Sequence, residues 1–278
     1  MSAAFYPPDR PLTVGEVLDL AFRIFKVTLV RGLPYGIWAM LAGQLANIYE
    51  LVRGVAAGPH ESFGGGRLIW LALYLAGILL TLVAWSGLLI RQRAIIEDRP
   101  TGFKSELGAT LRRLPAFVVA TLLVLAAVGA GLMVVRIIPR AYYYWTLVPA
   151  VLLSAYLAIL LSCTWPAVLF AGSGPFGALR LSVKLVYGSW WRLCTVYGVG
   201  AAVVLVLALL IGALIAIVMP ALVTDVSVGT SVFAVVANTL RALLAPFAGA
   251  LLLATFGELR VRREGIDLQQ RIAGLAVE

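Results

Sequence analysis

The chain has 278 residues, of which 62% are hydrophobic and only 13% charged, and its mean hydropathy is +0.99. A soluble domain carries about 25% charged residues, so this chain cannot cover a water-facing surface, and a soluble globular fold is excluded. The net charge of +9 sits at the ends of apolar runs, where topology signals and headgroup contacts belong, which argues against nucleic acid as its cause.

In chain order, the opening MSAAFYPPDRPLTVGEVLDL has no apolar core with a small-residue cleavage site, so no cleaved secretory signal is expected. Leu18, Ala21, Phe22 and Phe25 share one helical face, with Glu16, Asp19, Arg23 and Lys26 largely elsewhere. That pattern predicts an amphipathic helix lying in the headgroup layer. A first span follows over 30–52, and its outer end carries Gln44, Asn47 and Glu50 every third residue. The connection 53–67 holds the only histidine, His60, beside Glu61. One histidine and one carboxylate in a Gly-rich turn make neither a metal set nor a triad.

Further spans are predicted over 68–91, 115–136, 146–170, 193–219 and 232–256, all rich in Leu, Ala, Val and Ile. Strand alternation is absent, so closed helices must satisfy the backbone in lipid. Tyr142 to Trp145 mark one interface and Trp190 and Trp191 the other. Gly198 with Ala202, Ala245 with Gly249, and Gly129 with Gly131 are small-residue sites that suit close helix packing. Cys163 and Cys194 read as small apolar residues rather than a disulfide or metal pair.

The stretch Gly172-Ser-Gly174-Pro-Phe-Gly177 matches the dinucleotide fingerprint by letter but follows a span instead of a short strand, and no carboxylate stands about 20 residues on. It reads as a helix stop followed by Pro175 at a new helix start. Similar elbows recur. Leu18, Ala21, Phe22 and Arg23 in the first match Leu107, Thr110, Leu111 and Arg112 in the second, and Leu179, Ser182, Val183 and Lys184 in the third. Each precedes an odd-numbered span. The pattern reads as a threefold repeat of interfacial helix, outward span and returning span, or as three basic linkers of the kind that flank membrane helices.

Seventeen of the 22 Lys and Arg residues fall at the amino-terminal, second, fourth and carboxy-terminal connections; Arg53, Arg67, Arg136 and Arg140 fall opposite. This bias places both termini in the cytoplasm. Candidate contacts for anionic headgroups are Arg23, Lys26, Arg112, Arg113, Lys184, Arg192, Arg260, Arg262 and Arg263. The remaining cation, Arg241, lies within the sixth span, where a charge costs at least about 2.5–3.5 kcal/mol. With Asn238, and with Glu50, Asn47 and Gln44 of the first span, it forms a candidate intramembrane polar site. Glu50 or Asp225 would be its counter-charge, and the site is either a structural clamp or a ligand site. Pro246 should kink this span and free a carbonyl about one turn earlier.

Three stretches, 10-RPLTVGEVLDLAFRIFK-26, 174-GPFGALRLSVKLVYGSWWR-192 and 256-FGELRVRREGIDLQ-269, resemble a family of bacterial multi-pass proteins. These are similar to the membrane domain attached to some glycerophosphoryl diester phosphodiesterases. The resemblance implies a fold and an inner-membrane address. It does not imply phosphodiesterase activity, because catalysis in the fused proteins belongs to a separate barrel with carboxylates and histidines around a metal.

The expectation is an all-α polytopic membrane protein of six transmembrane helices and one membrane domain, with three amphipathic interfacial helices on the cytoplasmic side. No catalytic set, metal or cofactor motif is present, so a non-enzymatic accessory or scaffold component acting through lipids and a cytoplasmic-face protein partner is expected. The alternative is a transporter or lipid-handling protein built around Arg241.

Overall fold

The computed structural model describes residues 6–8, 10–53, 65–99, 102–137, 143–222 and 226–265. These are all-helical, without strands. The helices are α1 (Val14–Gly43), α2 (Leu45–Arg53), α3 (Gly65–Ile96), α4 (Phe103–Ile137), α5 (Tyr143–Leu160), α6 (Thr164–Phe170), α7 (Pro175–Val186), α8 (Trp190–Leu222) and α9 (Val226–Glu264). Six stretches are long and apolar enough to cross a membrane: Val14–Gly43, Gly66–Ile96, Phe103–Met133, Trp145–Phe170, Trp190–Leu214 and Leu244–Glu264. The fourth combines α5 and α6 across a break at 161–163.

Helix α1 begins at a capping box. The Glu16 amide donates to Thr13 Oγ1 at 3.4 Å, and the Thr13 amide donates to Glu16 Oε2 at 2.7 Å. From there the helix runs unbroken to Gly43, so the first elbow and first span are one rod, and α2 carries the outer part expected in the same span. The second elbow is likewise the first turns of α4. Only the third is a separate helix, α7. Gly188 adopts φ 80°, a left-handed conformation suited to glycine, and turns the chain into α8.

The three elbows nevertheless present the same faces. Their small residues Ala21, Thr110 and Ser182 are all buried, whereas the basic residues Arg23, Arg112 and Lys184 are exposed. Ser182 shows why the small position matters. Its hydroxyl donates to Leu160 O at 2.8 Å, satisfying a carbonyl left open where α5 ends.

Helices α1 and α9 are antiparallel neighbours and share the most extensive contact in the fold. A Cβ on Gly36 would stand 2.3 Å from Ala242 O, and one on Gly32 would stand 3.7 Å from Pro246. Tyr6, beyond the start of α1, reaches Leu253 O at 3.3 Å. Helix α3 packs on the same α1. A Cβ on Gly87 would meet the Tyr35 ring at 2.5 Å, and one on Gly77 would meet Ala42 O at 2.6 Å.

The main buried cluster gathers at one end of the bundle. Val17, Leu20, Ala21 and Ile24 of α1 join Leu89 and Ile96 of α3, Phe117 and Ala120 of α4, Ala167 and Val168 of α6 and Leu185 of α7. The last turns of α9, with Leu253, Phe256 and Leu259, run through its middle. Of the small-residue sites, Gly249 and Gly131 do pack closely: added Cβ atoms would lie 2.4 Å from Gln92 Oε1 and 2.6 Å from Ser154 Oγ. Added Cβ atoms on Gly198 and Gly129 would meet nothing within 4 Å.

Candidate functional site

Polar chemistry concentrates at the packed end, in three buried groups. The first is built on Glu106, in the first turns of α4. Its helix buries the face through Glu106, Thr110, Phe117 and Ala120, at spacings that keep one side of a helix inward. Glu106 is 1% exposed. It accepts a 2.6 Å hydrogen bond from Tyr35 Oη and pairs with Arg91 Nη1 at 3.0 Å. A buried carboxylate is tolerated when paired and hydrogen-bonded in this way. The Arg91 guanidinium also stands 6.0 Å from the centre of the Tyr35 ring, within reach of cation–π attraction.

Beside this group is a cavity of about 390 Å³ lined by Arg31, Arg91, Ala94, Ile95, Asp98, Arg99 and Glu106. Its rim is formed where α3 ends. The Asp98 amide donates to Ile95 O at 3.2 Å and the Arg99 amide to Ala94 O at 2.9 Å, the paired bonds of a Schellman cap. The left-handed position in that cap belongs to Asp98, with φ 53°. Tyr35, Trp38 and Phe103 form an aromatic cluster next to it, with centroids 6.0 to 6.5 Å apart.

The second group is centred on Glu258 of α9, also 1% exposed. Arg192 Nη1 lies 2.8 Å from Glu258 Oε1, as does Arg262 Nε. Both arginines also donate to Leu12 O, Arg262 at 3.2 Å. The group therefore ties the start of α8 and the end of α9 to the segment before α1.

The third is Gln92 of α3, fully buried. Its Nε2 donates to Thr28 Oγ1 at 3.1 Å and to Pro246 O at 2.7 Å. Pro246 has no amide hydrogen to donate. Ala242, four residues earlier, loses its helical donor, and its carbonyl lies against Gly36. The α1–α9 seam thus depends on a glycine at that level.

The residues proposed for an intramembrane polar site distribute differently. Asn238 and Arg241 belong to α9, and Asn47 and Glu50 to α2, but their side chains lie outside the described residues. Gln44 forms the cap between α1 and α2. Thr239 Oγ1 approaches Met40 Sδ at 3.9 Å and Ala242 abuts Gly36, so the Arg241 position sits level with residues 36–40 of α1. Helix α2 leans on α3. His60, Glu61 and Asp225 are outside the described residues.

Of the candidate headgroup cations, Arg23, Lys26, Arg112 and Lys184 are exposed. Five others make bonds within the fold: Arg192 and Arg262 as above, Arg113 to Val168 O at 2.9 Å, Arg260 to Glu264 at 2.7 Å, and Arg263 to Tyr187 O. Among the described residues no group of three or more His, Cys, Asp or Glu is placed to hold a metal ion.

Sequence reasoning missed Glu106, Gln92 and Glu258. Counting only cations at span ends hid the carboxylates among them. The available signal was phase, since Glu106 falls four residues before Thr110 on the face that continues into Phe117. No family model, no characterised protein and no solved structure matches the chain.

Proposed function

We propose that this chain is a non-enzymatic, multi-pass component of a bacterial inner membrane, an accessory or scaffold subunit that acts through lipid and protein contacts. Both termini face the cytoplasm in this reading, following the charge bias. The observation that supports it most is how the buried carboxylates are used. Glu106 is held by Arg91 of the neighbouring α3, and Glu258 by Arg192 of α8 together with Arg262 of its own helix, so they serve to lock helix ends together. The likeness to the membrane domain of glycerophosphoryl diester phosphodiesterases belongs to the same reading, as an architectural module without the catalytic barrel.

A second reading, lipid handling, draws on the open cavity beside Arg91. One experiment separates them. Purified full-length protein is reconstituted into vesicles and assayed for movement of lipids and small anions across the bilayer. In parallel, its native complexes are crosslinked in the membrane and their stoichiometry measured. A fixed-stoichiometry partner and no flux are expected. Flux by the purified chain alone, abolished by Arg31→Gln at the cavity in protein that stays folded, would replace the scaffold with a transporter.

A further inference from the structure

The cavity lined by Arg31, Arg91, Asp98, Arg99 and Glu106 contains more unassigned binding chemistry than any other described part of the molecule. Its volume of about 390 Å³ is in the range of small-ligand sites. Three guanidinium groups from two helices and a cap converge on it, the geometry that suits the oxygens of a phosphate. They differ in how firmly they are held. Arg91 is fixed by the buried Glu106, and its Nε is itself buried without a hydrogen-bond partner among the described residues. Arg99 reaches Glu97 only at 3.6 Å, with its side chain 76% exposed. Arg31 is exposed and makes no ion pair among the described residues. Charge there is available to a ligand.

We propose that this cavity binds the phosphate-bearing headgroup of a membrane phospholipid. The assignment deepens, and rests on, the reading of the chain as a lipid-contacting membrane component. Position favours a lipid over a soluble anion. The cavity lies where α3 leaves its apolar run, the level at which headgroups sit. The aromatic cluster of Tyr35, Trp38 and Phe103 stands beside it, with Phe103 half exposed, as rings do at the glycerol level. Asp98 adds an independent indication. A Schellman cap ordinarily takes glycine in its left-handed position, yet here the position carries a carboxylate on the cavity wall. That carboxylate limits the net positive charge facing the ligand and offers an acceptor to a headgroup amine or hydroxyl.

The test uses full-length protein, delipidated in mild detergent and titrated with phosphatidylglycerol under native mass spectrometry. Arg31→Gln is expected to weaken lipid retention about tenfold, the scale of one charge-assisted contact. Arg180→Gln, an equal loss of charge at an exposed position of α7, should change it by less than about twofold. Asp98→Gly should bind the anionic lipid more tightly. Millimolar inorganic phosphate should compete poorly. Equal retention by wild type and Arg31→Gln overturns the site, as does an equal loss in Arg180→Gln, which would indicate diffuse surface charge. Inorganic phosphate displacing the lipid completely would make the cavity a soluble-anion site instead. In each of those cases, a retained partner of fixed stoichiometry would leave the scaffold reading intact.

Discussion

Helices α8 and α9 are adjacent in sequence and both qualify as membrane spans, but burial separates them. The span in α8, Trp190–Leu214, has a mean hydropathy of 2.5 and only 11% of its apolar window is buried. The span in α9, Leu244–Glu264, has a mean hydropathy of 1.4 and is 78% buried. The more apolar helix is the more exposed one. In lipid, apolar surface gains little by leaving the solvent, so hydropathy does not drive a helix inward. What draws α9 to the centre is a set of contacts that the described part of α8 does not show beyond its first turns: carboxylate partners and a glycine-matched backbone approach. Helix α8 touches α9 where Gly200 meets Leu251, at 2.7 Å for an added Cβ, while at Gly212 it meets nothing.

Ion pairing gives the largest expected contrast. Glu106→Ala removes the partner of Arg91 and Tyr35 at a site 1% exposed. Arg91 is a quarter exposed and can turn toward the headgroups, so the loss falls below that of a fully buried pair, at about 2–3 kcal/mol. Leu209→Ala on α8, where the side chain is 61% exposed, should change stability by less than about 0.5 kcal/mol. Thermal unfolding of both variants in one detergent measures the difference. Equal shifts would remove the distinction between the packed and open helices.

Glycines test the same contrast without touching charge. Gly36→Ala places a methyl 2.3 Å from Ala242 O, a backbone atom on a neighbouring helix, and should cost about 1–3 kcal/mol as the α1–α9 seam opens. Gly198→Ala meets nothing within 4 Å and should gain up to about 1 kcal/mol from improved helix propensity. Crosslinking between cysteines placed at Met40 and Thr239 would show the seam widening in the first variant only. A neutral Gly36→Ala would mean that the two helices slide freely.

A smaller effect is expected at the third elbow. Ser182→Ala leaves Leu160 O without its donor at the break between α5 and α6, a loss of about 1 kcal/mol. The equivalent change at the first elbow is already present, since Ala21 packs there with no hydroxyl to lose. Hydrogen exchange confined to residues 157–163 would localise the change. Exchange spread over the whole of α7 would point to general loosening instead.

The six spans were legible because an apolar run of about 20 residues has few other uses. The elbow pattern was legible in part: its small positions are buried and its basic positions exposed in all three copies, whereas the apolar position is exposed at Phe22 and Leu111 and half-buried at Val183. Two things were not. Whether an elbow continues into its span depends on one backbone angle, as at Gly188, and Gly32 within α1 has no such effect. Partner choice was also hidden. Glu106 meets Tyr35 across 71 residues and Gln92 meets Pro246 across 154, and helix-end charge counting has no term for either. Attention to the lone Arg241 followed the cost of an intramembrane charge, whereas the described polar networks lie a few turns away, where spans end and charges can be shared.

The smallest effect has the opposite sign. Asp98 holds φ 53° in the cap that ends α3, and a side chain there is less favourable than glycine. Asp98→Gly should therefore stabilise the fold by about 0.5–1 kcal/mol, since glycine reaches that angle without strain while the amide bonds of the cap remain. Its unfolding temperature should rise slightly while that of Glu106→Ala falls. The gain on replacing Asp98 measures what a carboxylate on the cavity wall costs the fold. If Asp98→Gly destabilises the protein, the carboxylate is itself holding the end of α3, and its place on the cavity wall follows from the cap rather than from a ligand.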